Sequence, residues 1–182
     1  RRASASAWTS RERIEARFPA DGIHGEEEAD KEGTSGRRWV IDPIDGTVSF
    51  TAGVGMYTNL LYLEDEHGPA VGVINVPALD EIVWAGRGQG CHFYGVRCGV
   101  NHHPTLRGGI LSTSGFDWWE ADLVTKAHQS GVRLRTWGDG YGYLLVATGR
   151  IEAMVDPHIN FWDIAPCQVI IEEAGGRWSA ID

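Results

Sequence analysis

Apolar and polar positions change period several times along the chain, and each change predicts an element. Residues 11–18 (RERIEARF) read as a short amphipathic helix, with Ser10 as its N-cap and Pro19 as its stop. Residues 20–38, rich in Gly, Glu, Asp and Lys, predict a loop or a frayed hairpin. An abrupt apolar run at residues 39–41 (WVI) predicts a short buried strand. It ends in Asp42-Pro43-Ile44-Asp45-Gly46-Thr47, where a Pro and a Gly enclose two acids in a forced turn. Residues 57–64, 70–76 and 82–85 predict three strands of an antiparallel meander, and residues 86–90 a further turn. The second half alternates: strand 110–113, helix 118–129, strand 132–136, helix 141–148 closed by Gly149, strand 151–155, helix 162–174 closed by Gly175-Gly176. Mixed sheets layered with helices, an α+β or α/β plan, is the predicted fold class. No repeat, low-complexity tract or linker interrupts the pattern, so a single domain is expected.

Composition narrows the function. With 182 residues, 42% of them hydrophobic and 23% charged, the chain is of globular type, and folding at this size buries roughly 70% of the unfolded surface. Lys and Arg total 16 against 25 Asp and Glu, a net charge of −9, the wrong sign for a nucleic-acid partner held on a broad basic face. An acidic chain still binds phosphate where metal ions supply the positive charge. Cys91, Cys98 and Cys167 are an odd number without a C-x-x-C pair, which predicts reduced thiols in a cytoplasmic protein rather than a disulfide framework or a Cys-rich zinc site. No apolar run long enough for a membrane span is present, nor a secretory signal in residues 1–10.

Four acids stand at element boundaries instead of on solvated helix faces: Glu26, Asp42, Asp45 and Asp163. In the Asp42-Pro43-Ile44-Asp45 turn two carboxylates three residues apart are aimed toward one point, where they repel unless a cation sits between them. A hard divalent ion such as Mg²⁺, which takes oxygen ligands and only a few of them from protein, answers that repulsion, and the Ile44 carbonyl is a natural further ligand. Gly46, without a Cβ, lets backbone N–H groups approach an anion, and the Thr47 hydroxyl can orient a water. Read alone, the same hexapeptide is also an ordinary surface turn with solvated acids.

Three blocks carry a resemblance. GEE (residues 25–27), WVIDPIDGT (39–47) and WDIAPCQVIIEEAGG (162–176) resemble, in order and rough spacing, the signatures of the inositol-monophosphatase family of metal-dependent phosphatases. The segments SFTAGVGMYTNLLYLED, GVINVPALDEIVWAGRGQG and LRTWGDGYGYLLVATGRIEAMVDP resemble its histidinol-phosphate branch, and the match runs from about residue 11 to residue 182. The resemblance implies a layered αβαβα sandwich. By position it implies that Glu26, Asp42, the Ile44 carbonyl, Asp45 and Asp163 hold two or three Mg²⁺ ions, Asp42 bridging two, with Mn²⁺ as an alternative. It also implies that Glu26 and Thr47 position and deprotonate the attacking water, that Gly46 and Thr47 N–H groups hold phosphate, and that Arg135, Asp139 and Asp156 contact the substrate alcohol, beside Ile44, Asp45 and Asp163. Imidazole and ammonium on that alcohol suit an acidic site. The implied activity is hydrolysis of L-histidinol phosphate to L-histidinol and phosphate in histidine biosynthesis, without a phospho-enzyme. The rivals are an inositol-1-phosphate or broader sugar-phosphate phosphatase, and a truncated relative that binds metal and phosphate without turnover. A homodimer is the oligomer that the relatives suggest, and lithium inhibition is expected.

Three departures from the family pattern accompany the resemblance. Residues 1–10 lack the acid of a Thr-x-x-Asp segment, so part of an N-terminal helical layer is expected to be missing; the family's tail beyond residue 182 is missing too; and Gly140 stands where the histidinol branch often has Cys. His24, His102, His103 and His158 have no zinc-site spacing and read as surface or supporting residues. The eight Trp read mostly as core, with Trp162 as a wall beside the metal, and Glu172-Glu173 as a solvated helix face.

Overall fold

A computed structural model of the chain describes residues 3–26 and 29–179, with side chains from residue 10 onward. The elements in chain order are α1 (Ala3–Arg17), β1 (Gly22–Gly25), β2 (Arg38–Asp45), α2 (Thr47–Thr51), β3 (Thr58–Asp65), β4 (Gly68–Val76), β5 (Glu81–Gly86), β6 (Gly90–Phe93), β7 (Val96–Cys98), β8 (Ile110–Ser112), α3 (Ala121–Ser130), β9 (Arg133–Arg135), α4 (Asp139–Ala147), β10 (Ala153–Met154) and α5 (Phe161–Glu173). Strands β1 to β7 form one sheet in sequence order, antiparallel except for the parallel β1–β2 pair. Strands β10, β8 and β9 form a second, wholly parallel sheet.

Five layers follow: α1 against β2, the large sheet, the α4–α5 pair, the small sheet, and α3. The main core lies between the large sheet and α4–α5, where Leu60, Ile74, Val83, Leu144 and Ile170 are at most 2% exposed. A second cluster, Leu111, Trp119 and Ala127, joins α3 to the small sheet. Close approach of α5 to the large sheet depends on Gly72 of β4: a Cβ there would stand 2.5 Å from the Pro166 carbonyl oxygen. Among the described residues no helix is long and apolar enough to cross a membrane. All three cysteines are free thiols.

Three expectations are corrected. Helix α1 begins at Ala3, so Ser10 lies inside it and is no N-cap; no Gly or Pro interrupts residues 3–10, and the helix ends at Arg17, two residues before Pro19. The 20–38 stretch contains β1, whose Ile23 is 1% exposed; it pairs with β2 at long range, a partnership invisible in local composition. Glu173 is not simply solvated, since its two carboxylate oxygens accept hydrogen bonds from the N–H groups of Gly88 and Gly90, both at 2.7 Å, and so tie the end of α5 to the β5–β6 turn.

Candidate active site

Strand β2 carries the turn acids into the interior. Pairing of β2 with β3 is regular to Asp42 and resumes at Asp45, so Pro43, which has no N–H to donate, falls in the irregularity between them. Asn59 Nδ2 donates to the Pro43 carbonyl at 2.6 Å and Asn75 Nδ2 to Asn59 Oδ1 at 2.8 Å, so two strand asparagines brace the turn from below. Asp42 Oδ1 accepts from the Ile44 N–H at 2.9 Å. Asp45 Oδ2 accepts from Thr58 Oγ1 at 2.5 Å and from the Gly140 N–H at 2.6 Å. Gly46 turns left-handed, φ 77°, and leads into α2; a Cβ on it would lie 2.8 Å from Asp139 Oδ2. The Thr47 hydroxyl donates to the Ile44 carbonyl at 3.3 Å.

Helix α5 brings Asp163 from above. Its carboxylate accepts from Asn160 N at 3.3 Å and Asn160 Nδ2 at 3.1 Å across the first turn, which holds the acid at the helix start. Carboxylate oxygens of Asp42, Asp45 and Asp163 thereby come within 4.8 Å of one another. Glu26, just past β1, lies outside that trio but lines the same cavity of about 430 Å³, and its charge acts on Asp42. Glu27 lies outside the described residues.

Like charges in a buried place have an electrostatic cost. Burial, then the charges of Asp45, Glu26 and Asp163, hold Asp42 far above the usual carboxylate range. Burial and Asp139 push Asp45 up to about 7, and burial and Asp156 push Asp139 up to about 6. Asp42 Oδ2 is buried with no hydrogen-bond partner among the described residues. A buried acceptor so left costs roughly 1–3 kcal/mol or more unless something else satisfies it. Three convergent carboxylates and one orphaned oxygen fit a hard divalent cation, which takes oxygen donors and relieves this repulsion.

Asp156, just past β10 of the small sheet, also lines the cavity. Asp156 accepts from Ser114 N at 2.8 Å, Ser114 Oγ at 3.1 Å, Thr113 Oγ1 at 3.2 Å and Tyr143 OH at 3.1 Å. Four donors engage that carboxylate, so its role is first of all to hold the site together. The Asp139 N–H donates to Ser114 Oγ at 2.8 Å, and Asp139 takes a left-handed φ of 55°, uncommon for a residue other than glycine. Gly140 packs closely: a Cβ would meet Thr58 Oγ1 at 2.5 Å and Asp45 Oδ2 at 2.9 Å, so the Cys of the histidinol branch would require these side chains to shift.

Two expected residues are elsewhere. Arg135 does not line the cavity; its Nη1 donates to the Leu134 carbonyl at 2.7 Å and its guanidinium lies over Trp137, 5.9 Å from the ring centroid. Position 135 ends β9, where side chains alternate between sheet faces, and this one emerges on the exposed side. Trp162 is likewise no wall of the cavity, for it packs with Val40, Tyr62 and Ala165. Ser114, Thr58 and Asn59 are supports that sequence reasoning missed. For Ser114 a signal exists: Thr113-Ser114-Gly115 follows β8 with small residues, much as Gly46-Thr47 follows β2.

Known proteins resemble the chain at each level. The model of the inositol monophosphatase family matches residues 3–182. A histidinol-phosphatase of Chlorobaculum parvum is 42% identical over 173 residues, covering 91% of this chain and 66% of the relative; one from Mycobacterium tuberculosis is 34% identical over 174 residues, covering 90% and 66%. The chain thus spans 66% of the length of these relatives. An IMPase from Thermotoga maritima superposes with a TM-score of 0.82 at 32% identity, over 90% of this chain and 64% of that one. The layered fold, the acidic turn of β2 and the family match agree, and the chain belongs to the inositol monophosphatase family.

Proposed function

We propose that this chain is a Mg²⁺-dependent phosphatase acting on histidinol phosphate. The observation that carries it is the meeting of Asp42, Asp45 and Asp163 within 4.8 Å, with one buried Asp42 oxygen unpartnered. Asp42, Asp45 and Asp163, with Glu26 and the Ile44 carbonyl at the edge, are the residues that hold the cation. When bound, the cation supplies positive charge for the phosphate and lowers the pKa of water. The N–H groups of Gly46 and Thr47 receive phosphate oxygens, the Thr47 hydroxyl and the Glu26 carboxylate orient the attacking water, and Glu26 takes its proton. Positioning and electrostatics carry such a reaction, because phosphoryl transfer through a loose transition state asks for little covalent chemistry. Asp139, beside Gly46, adds negative charge on the alcohol side, which suits the ammonium of histidinol. The names of the Chlorobaculum and Mycobacterium relatives support this choice of substrate over a neutral polyol phosphate.

The test is phosphate release from histidinol phosphate and inositol 1-phosphate, with and without Mg²⁺. Release that requires Mg²⁺ and favours histidinol phosphate is the expected result. A preference for inositol 1-phosphate would replace the substrate, and calorimetric binding of Mg²⁺ and phosphate without release from any ester would replace the activity with binding alone.

A further inference from the structure

Trp118 and Trp119 are neighbours with opposite surroundings. Trp119 is 8% exposed, packs into the small-sheet cluster and edge-on to Phe116, and donates Nε1–H to Thr113 Oγ1 at 3.0 Å. Trp118 is 65% exposed, the most exposed of the large apolar aromatic residues described, and it lines the cavity that holds the acidic trio. Its ring lies against His158 of the same cavity, centroids 4.6 Å apart and planes 34° from parallel. A large indole left in water needs a reason when its sequence neighbour is buried.

Both halves of this pair are tied to a single anchor. The segment that carries Trp118 is fastened to Asp156 through Thr113 Oγ1 and through the N–H and hydroxyl of Ser114. His158 follows Asp156 by two residues, and the Tyr143 hydroxyl holds the same carboxylate from α4. The chain on either side of the aromatic pair is therefore anchored at one carboxylate, and the two rings rest against each other. Opposite chemistry lies next to it, since Asp117, Asp139, Asp156 and Asp163 line the cavity. An electron-rich aromatic face among carboxylates matches a flat ring that carries an ammonium beside it on the alcohol part of the ester.

We infer that Trp118, backed by His158, is the specificity wall that takes the planar imidazole ring of the substrate alcohol. This deepens the proposed function and rests on it for the identity of the ester. In this reading one cavity has two duties: the acids of β2 and α5 serve the phosphate, and the indole serves the alcohol.

Trp118→Ala and Trp118→Phe in the full chain test it, with L-histidinol, which has no phosphate, as the calorimetric probe in Mg²⁺ buffer. Expected are an about tenfold weaker histidinol affinity in Trp118→Ala, recovery of most of it in Trp118→Phe, and an about tenfold fall in the ratio of kcat/KM for histidinol phosphate to that for glycerol 2-phosphate, borne by KM. Equal histidinol binding by wild type and Trp118→Ala, absence of histidinol binding by wild type, or equal losses on both esters would overturn the inference. Were wild type to bind histidinol through Trp118 yet release phosphate from no ester, the wall would stand and the hydrolytic reading alone would fall.

Discussion

Asp42 bears the sharpest conflict in the molecule. Its Oδ1 is satisfied by the Ile44 amide, its Oδ2 by nothing among the described residues, and three other acids act on it. Retaining an acid under these conditions is a cost to the metal-free fold, because each neighbour disfavours its charge. Asp42→Asn removes that charge at nearly constant volume. The expected outcome is loss of Mg²⁺-dependent phosphate release together with a melting temperature, in chelator at pH 8, higher than that of wild type. Retention of most activity would refute the ligand role, and calorimetry with a phosphate assay checks both.

Helix α5 sets how far Asp163 descends toward β2. Gly72 permits that approach, since a methyl group there meets the Pro166 carbonyl at 2.5 Å and Val169 Cγ1 at 2.8 Å. Gly72→Ala is expected to cost about 1–3 kcal/mol in urea unfolding, as overpacking does, and to raise the Mg²⁺ concentration for half-maximal activity by lifting Asp163 away from its partners. Wild-type Mg²⁺ dependence in this variant would show that α5 yields elsewhere. The elements themselves were unequally legible. The β3–β5 meander stands in the sequence because alternation and turn residues are local signals, and α3, α4 and α5 are found within a few residues of their predicted spans. Strand β1 was hidden because two of its four residues are Gly and its pairing is supplied from residues 38–41. The acids of the site were legible since Pro43, Gly46 and the start of a helix mark their boundaries. Arg135 stands apart from the cavity, which sequence could not tell, because position names a strand end but not the face on which its side chain emerges. Trp118 was not told apart from the other tryptophans, because sequence does not show that it is exposed where Trp119 is buried.

For the whole molecule the acids make stability depend on pH in a definite direction. Asp45 and Asp139 have folded-state values near 7 and 6, above their ordinary 3.8, so both favour the fold when protonated. Their contribution is complete below about pH 4 and is lost as pH rises through about 6 to 7. In chelator the melting temperature is therefore expected to fall between pH 5 and pH 8, and added Mg²⁺ to flatten that fall by compensating the ionised carboxylates. A scan by differential calorimetry at several pH values decides it, and identical slopes with and without Mg²⁺ would count against a cation at the trio.

The donors of the trio come from two layers, the end of β2 and the start of α5. An ion gripped by both is a rivet between sheet and helix, and its occupancy is inseparable from the folding equilibrium. At a free ion concentration 100 times its dissociation constant, such linkage adds about 2.7 kcal/mol to the folded state. Magnesium starvation in a cell would then reach this protein twice, first as idle molecules and next as shorter-lived ones.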